Sequence, residues 1–370
     1  MSIGIISPHS LSLNNGSSVL SYNISQALSN KNMDVKLITI DVSSAIDEIK
    51  PNFLLYLYDE RSRNTLLDPT KLYIMAMRDF EMISNIDVMH IIGNYNPFLV
   101  SFISHRLKKP ALIHVHIRVH RSIAKVFSLL SLYRQLRINK VVATSINIAR
   151  QINADDIILP PIDCHTFKPK RSINTINDAS MLYLGPFQRF DILTMLKIMV
   201  ILKRNFNVYS SLTMISRFSE DKELIPKILR LAAKFNLEGQ VKAFVKILSL
   251  QEKINLLNES TFYVGLLKHN KNFPFVEPPI SILEALSMGK PVISYDNIGL
   301  NSLPNDKSII VLNSGAVNIK QAARIIADKI NLLDQLSLSA RKLALKNFSY
   351  EVISDKLIKI YNKLLNNLSD

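Results

Sequence analysis

The residues best equipped for chemistry lie between Phe275 and Ser294, in the run F-V-E-P-P-I-S-I-L-E-A-L-S-M-G-K-P-V-I-S. Its two prolines halt whatever precedes them. A short helix is predicted to start at Ile280 or Ser281, and a strand at Pro291. Pro279, Ile280 and Ser281 therefore mark a helix N-terminus, where free backbone N–H groups and the positive end of the helix dipole attract an anion. Glu284 follows about one turn later, within reach of the hydroxyl groups of a ligand held there. Phosphates on the amides and a ribose on the carboxylate would make this a clamp for a nucleoside diphosphate. The same residues also fit an ordinary helix whose early glutamate complements the dipole. Glu277, in the loop ahead, is the second available carboxylate.

Other chemistries lack their signatures. The chain has no G-x-G-x-x-G, P-loop, H-E-x-x-H or G-x-S-x-G, so hydride transfer, P-loop phosphoryl transfer, zincin and hydrolase chemistry have no anchor. A-L-I-H-V-H-I-R-V-H holds His114, His116 and His120. His114 and His116 fall on one strand face, as two zinc ligands could, but no carboxylate or cysteine stands near them, and no metal is expected. His90 reads as structural. Cys164, the single cysteine, excludes an internal disulfide framework and reads as an inert thiol in a reducing compartment.

The elements that must hold these residues follow from pattern. Apolar runs predict strands at Ile3–Ser7, Val35–Asp41, Phe53–Tyr58, Val88–Ile92, Ala111–His116 and Val141–Thr144, with helices such as Ser18–Lys31 between them. The runs are nearly continuous in apolar residues, as a parallel sheet covered on both faces requires. Asp156–Arg171, D-I-I-L-P-P-I-D-C-H-T-F-K-P-K-R, and the polar stretch after it read as a linker. Strands then resume at Met181–Gly185, Val208–Ile215, Val241–Val245, Phe262–Leu266, Pro291–Ser294 and Ile309–Leu312. A helix is predicted at Asp221–Phe235, with Gly239 just past its end. The last helix, Tyr350–Leu365, takes Ser349 as N-cap and a stripe of Ile353, Leu357, Ile360, Tyr361 and Leu364. The fold class is α/β, with two doubly wound Rossmann-like domains facing across a cleft. The expected divisions are 1–168, 169–348 and a helix at 349–370 that packs back on the first domain.

Composition narrows the partners. The 370 residues carry a net charge of +15, and 48% are hydrophobic. Ten of those excess charges fall between Val88 and Ala154, which contains no Asp or Glu. Within it, Ile117–Lys140 interleaves apolar residues with Arg118, Arg121, Lys125, Arg134 and Arg137. That arrangement suits an anionic membrane surface or a charged acceptor. A polyanion or nucleic-acid binder is the rival reading, but Trp is absent and few aromatics are available to stack bases. No leader and no spanning run of about 20 apolar residues is evident, so a cytoplasmic location, peripheral to the membrane, is expected.

Over nearly its whole length the chain resembles the retaining glycosyltransferases of family four, which have the GT-B fold. Glu284, Ala285, Gly289, Lys290, Pro291, Val292 and Ile293 match the family's second glutamate and the residues after it. P-P-I-D-C-H-T-F-K-P resembles its inter-domain link through Asp163 and Phe167. Leu182–Phe190, L-Y-L-G-P-F-Q-R-F, is similar to the strand and glycine loop that opens the second domain, and F-S-Y-E-V-I-S-D-K-L-I-K-I-Y-N-K-L-L to the closing helix. There are departures. Six residues separate Glu277 from Glu284 where the family has seven, so strict alignment places Val276 at the first glutamate. Of the family's Arg and Lys after the glycine, only Arg189 is available, four residues past Gly185, and Pro186 stands where the arginine usually does. These differences leave open a weak diphosphate grip, an unusual donor, or a non-catalytic relative.

The resemblance implies a metal-independent transferase of hexosyl type, with a nucleotide-diphosphate sugar as co-substrate and no bound cofactor. Gly16 and Gly185 would approach the donor, and Arg189 with Pro279, Ile280, Ser281 and Glu284 would hold it. His116 and Glu277 would position the reacting sugar. Transfer would retain anomeric configuration, and the acceptor would be a glycan or lipid at or near a membrane.

Overall fold

The structure is a computed structural model that describes residues 1–7, 16–39, 53–57, 85–93, 100, 104–116, 139–170, 178–268, 278–296, 299–315 and 317–369. The chain divides into two compact units, Met1–Asp163 with Asn347–Asp370, and Cys164–Lys346.

The first unit is built on a parallel sheet of β1 (Ser2–Ile6), β2 (Asp34–Thr39), β3 (Leu54–Leu57), β4 (Val88–Ile92), β5 (Ala111–Val115), β6 (Asn139–Ala143) and β7 (Asp156–Ile157). Their order is β3-β2-β1-β4-β5-β6-β7. Every residue of β4 and β5 is buried, which explains why each strand is apolar apart from one histidine. Between the strands run α1 (Gly16–Ser29) and α2 (Ile146–Ile152). One expectation changes here: Asp156 does not open the linker but pairs with β6. The neighbouring Asp155 accepts from the Val141 amide through its side chain and donates to the Val141 carbonyl through its own amide, both at 2.7 Å. Those two bonds staple a polar segment to a sheet edge that its composition did not suggest.

The closing helix, α9 (Tyr350–Ser369), belongs to this unit. Its stripe of Ile353, Leu357, Ile360, Tyr361 and Leu364 is buried, and it packs on α1. Two polar bonds pin its start: Tyr350 donates to Asn23 Oδ1 at 3.0 Å, and Asn23 donates to the Pro161 carbonyl at 2.8 Å.

The second unit repeats the plan with β8 (Asp178–Leu184), β9 (Tyr209–Ser216), β10 (Val241–Val245), β11 (Phe262–Gly265), β12 (Val292–Tyr295) and β13 (Ile309–Leu312), all parallel. The order is β10-β9-β8-β11-β12-β13. Its helices are α3 (Ile192–Phe206), α4 (Ile225–Lys234), α5 (Leu250–Glu259), α6 (Ile280–Ser287), α7 (Ile319–Ile330) and α8 (Leu333–Asn347). Local chemistry sets their ends. Asp191 caps α3 by accepting from the Thr194 amide, and Ser249 with Glu252 forms a capping box on α5. The helix expected from Asp221 begins instead at Ile225, after a 3-10 turn at Ser219–Leu224. Pro226 suits a first turn but lacks the N–H that an interior position needs. In both sheets the chain reverses its direction of travel beside the first strand, between β1 and β4 and between β8 and β11. Ligands of doubly wound sheets bind outside the carboxyl ends of the strands at such a reversal.

Candidate functional site

At the reversal in the second unit, β8 pairs with β11 through Met181 with Phe262 and Leu182 with Tyr263. Beyond its end β8 runs into Gly185, Pro186 and a short turn at Phe187–Arg189. Beyond β11 the chain follows Leu266–Lys268. The two exits are tied together, because Asp191 N donates to Leu266 O at 2.8 Å and Lys268 N to Arg189 O at 2.7 Å. Gly185 is small for a reason: a Cβ there would lie 2.8 Å from the Tyr183 hydroxyl. That hydroxyl donates to the Pro186 carbonyl at 2.8 Å, and the Tyr183 ring stacks on Phe190 at 4.3 Å.

Helix α6 arrives at the same place. Pro279 has no capping side chain, and its carbonyl accepts from the Ile282 amide at 2.9 Å. The amides of Ile280 and Ser281 form no hydrogen bond among the described residues. Tyr263 joins this turn to the glycine loop. Its hydroxyl lies 2.7 Å from Ser281 Oγ and 3.1 Å from the Leu184 carbonyl, and it accepts from the Leu184 amide at 3.3 Å. Burial raises the phenol's pKa above its ordinary value, so it stays a neutral donor. The structure thus brings Gly185, Arg189, Pro279, Ile280 and Ser281 together at the carboxyl ends of two adjacent strands.

Glu284 sits behind that turn and is 3% exposed. Lys253, from α5, donates to both carboxylate oxygens at 3.0 and 3.2 Å. The carboxylate is neutralised but keeps lone pairs for further donors. Sequence reading missed Lys253 because it stands 31 residues upstream in an unremarkable amphipathic helix. Lys290 turns the other way, to the Asn258 carbonyl at 2.9 Å, and burial pulls its pKa down to about 8. Arg341 fixes the far end of α6. It donates to the carbonyls of Ser287, Phe167 and Cys164, each at 2.7 Å, so the linker-like segment at 164–167 is bound to the helix that carries Glu284.

In the first unit, Gly16 is the first residue of α1, and His116 follows β5 with 6% exposure. His114 and His90 serve another purpose. His114 Nε2 lies 3.2 Å from the Ile158 carbonyl, His114 Nδ1 lies 3.2 Å from His90 Nε2, and His90 Nδ1 lies 2.6 Å from the Tyr361 hydroxyl. Only one arrangement satisfies every atom. Tyr361 donates to His90, His90 donates to His114, and His114 donates to the carbonyl, with both rings neutral. Burial, reinforced by His114, holds the pKa of His90 well below the usual value. Burial also lowers His114 to about 4, against the opposing pull of the Ile158 carbonyl. With both nitrogens in use, His114 does not pair with His116 as a zinc ligand. Glu277, His120, Arg118, Arg121, Lys125, Arg134 and Arg137 lie outside the described residues.

No protein-family model and no curated protein matches the chain. Solved structures do match, over essentially its full length. A glycosyltransferase from Rickettsia africae ESF-5 is 18% identical, with 99% of each chain covered and a TM-score of 0.74. Sucrose-phosphate synthase from Thermosynechococcus elongatus is 15% identical over 99% of each chain, with a TM-score of 0.71. Anabaena Alr3699/HepE, solved in complex with UDP and glucose, is 13% identical over 98% of this chain and 99% of its own, with a TM-score of 0.69. At these identities the likeness establishes the fold: two Rossmann-like units in one chain, the GT-B architecture. No described helix is long and apolar enough to cross a membrane.

Proposed function

We propose that the protein is a glycosyltransferase that takes a sugar from a nucleotide-diphosphate donor and places it on an acceptor with retention of anomeric configuration. The observation that carries this reading is the site at the β8/β11 reversal, where two first-turn amides that form no hydrogen bond among the described residues, Arg189 and the glycine loop converge in front of Glu284. The likeness to HepE, a protein solved with UDP-glucose, supports the same reading. In the second unit the amides of Ile280 and Ser281 with Arg189 meet the diphosphate, stabilising the charge that grows on it as the glycosidic bond breaks. Glu284 accepts from ribose hydroxyls while Lys253, bonded to both carboxylate oxygens, holds it in place. Glu277 is assigned to the donor sugar, and His116, in the first unit, to the acceptor side. The acceptor attacks the face from which the phosphate departs, without a metal. The basic run at 117–140 favours a lipid-linked or membrane-proximal acceptor.

The test is a panel of UDP-, GDP-, ADP- and TDP-sugars, assayed for binding and for release of the nucleoside diphosphate with and without glycolipid acceptors. Turnover of one donor class supports the proposal. Binding without turnover indicates a nucleotide-binding relative that has lost catalysis, a reading that Pro186 in the arginine's place favours. A panel that yields neither binding nor release refutes both.

A further inference from the structure

Pro186 occupies the position at which the resembled family carries an arginine, and Arg189 alone leaves the diphosphate one fixed cation short. A candidate stands one strand away. Leu184 of β8 pairs with Ile215 of β9, and Arg217 follows Ile215 by two residues just as Pro186 follows Leu184. Neighbouring strands lie about 4.8 Å apart, a gap that an arginine side chain spans easily.

Three observations mark Arg217 as more than a surface charge. It is partly buried, and its guanidinium lies 4.6 Å over the ring of Phe218. Among the described residues it has no ion pair and no hydrogen bond, although taking a cation even partly out of water without an anion carries a cost. Of the acidic side chains that follow it in the chain, Glu220 is exposed and makes no ion pair with it among the described residues, and Asp221 is 1% exposed and already in use. Its Oδ2 accepts from the Phe187 amide at 2.8 Å and from the Ser216 hydroxyl. Asp221 therefore bolts the loop after β8 to the loop after β9, and so fixes Arg217 and Arg189 on one rigid platform. Burial lowers the guanidinium's pKa, yet an arginine remains charged in proteins.

We propose that Arg217 is the second diphosphate-binding cation of this site, supplied from β9 in place of the residue that Pro186 displaces. The assignment rests on the donor-binding reading above and adds to it a residue that no motif marks. Together Arg217 and Arg189 would grip the anion from the ends of two adjacent strands, with the amides of α6 opposite.

The experiment is calorimetric titration of the full chain with UDP, GDP and ADP, and with the matching nucleosides. The wild type, Arg217→Met, Arg217→Lys and Arg204→Ala are compared. Met keeps an apolar stem over Phe218, Lys restores the charge, and Arg204 is an exposed arginine in the last turn of α3 that controls for net charge. Circular dichroism checks that each variant is folded. For whichever diphosphate the wild type binds, Arg217→Met should lose about tenfold to a hundredfold in affinity, the worth of one or two charge-assisted hydrogen bonds. Lys should recover part of the loss, while nucleoside affinity and the Arg204→Ala variant should not change. Undiminished diphosphate binding by folded Arg217→Met overturns the assignment and leaves the donor reading intact. An equal loss for nucleoside and diphosphate also overturns it, because it places Arg217 at the base. If the wild type binds none of these three diphosphates and none of the four classes of donor in the panel above, the donor reading fails and the assignment with it.

Discussion

Acidification should weaken the first unit in a defined window, and the histidine pair sets its size. In the unfolded chain His114 titrates at an ordinary 6.5, whereas burial lowers it to about 4 in the fold. The folded state therefore resists a proton that the unfolded state accepts. The stability of the neutral pair is complete above 6.5, falls as the pH drops towards 4, and levels off once the native ring also protonates. At about 1.4 kcal/mol per pH unit, His114 alone should cost about 2 kcal/mol near pH 5 and about 3 kcal/mol near pH 4. His90 acts in the same direction. Carboxylates titrate nearby in pH, so the informative comparison is with His114→Gln. A glutamine can donate to the Ile158 carbonyl and accept from His90 but takes up no proton. Urea unfolding followed by far-UV circular dichroism, at a series of values between about pH 7 and pH 4, measures the difference. The wild type should lose about 2 kcal/mol more than His114→Gln between about pH 7 and pH 5. Equal slopes for the two proteins would refute the proton-sharing order deduced for Tyr361, His90 and His114.

Three further outcomes are expected. Glu284→Ala should raise the donor's dissociation constant by the loss of one or two charge-assisted hydrogen bonds, about 1.5–3 kcal/mol each. Unchanged donor affinity in calorimetry would remove the ribose role. Gly185→Ala would set a methyl group 2.8 Å from a buried Tyr183 hydroxyl that is bonded to Pro186. It should cost about 1–3 kcal/mol, and a melting temperature equal to wild type would show that the loop gives way freely. In liposome flotation the full chain should float with anionic vesicles and not with neutral ones, each basic residue of 117–140 near the surface adding about 1 kcal/mol. Indifference to lipid charge would dispose of the membrane-proximal acceptor.

Most strands were legible because they are short runs rich in apolar residues, and α6 because two prolines announce where it must start. What the sequence hid was held by pairing across elements. Lys253 and Glu284 are 31 positions apart, His90 and Tyr361 are 271 apart, and neither distance follows from a period of 2 or 3.6. Tyr361 was visible only as one more apolar residue on a stripe, since its hydroxyl has meaning only when β4 lies beneath it. Asp221 was read as the start of a helix, yet its carboxylate is spent on joining two loops, and the helix begins at Ile225 with Pro226 in its first turn. Such misreadings gather where polar side chains bond to distant backbone, because the strand orders β3-β2-β1-β4-β5-β6-β7 and β10-β9-β8-β11-β12-β13 decide which loops meet and no local pattern encodes them. The donor site is of this mixed kind. Its helix N-terminus and glutamate can be read from twenty consecutive residues, whereas Tyr263, Lys253 and Asp221, which fix where those residues stand, become visible only once β8, β9 and β11 lie side by side.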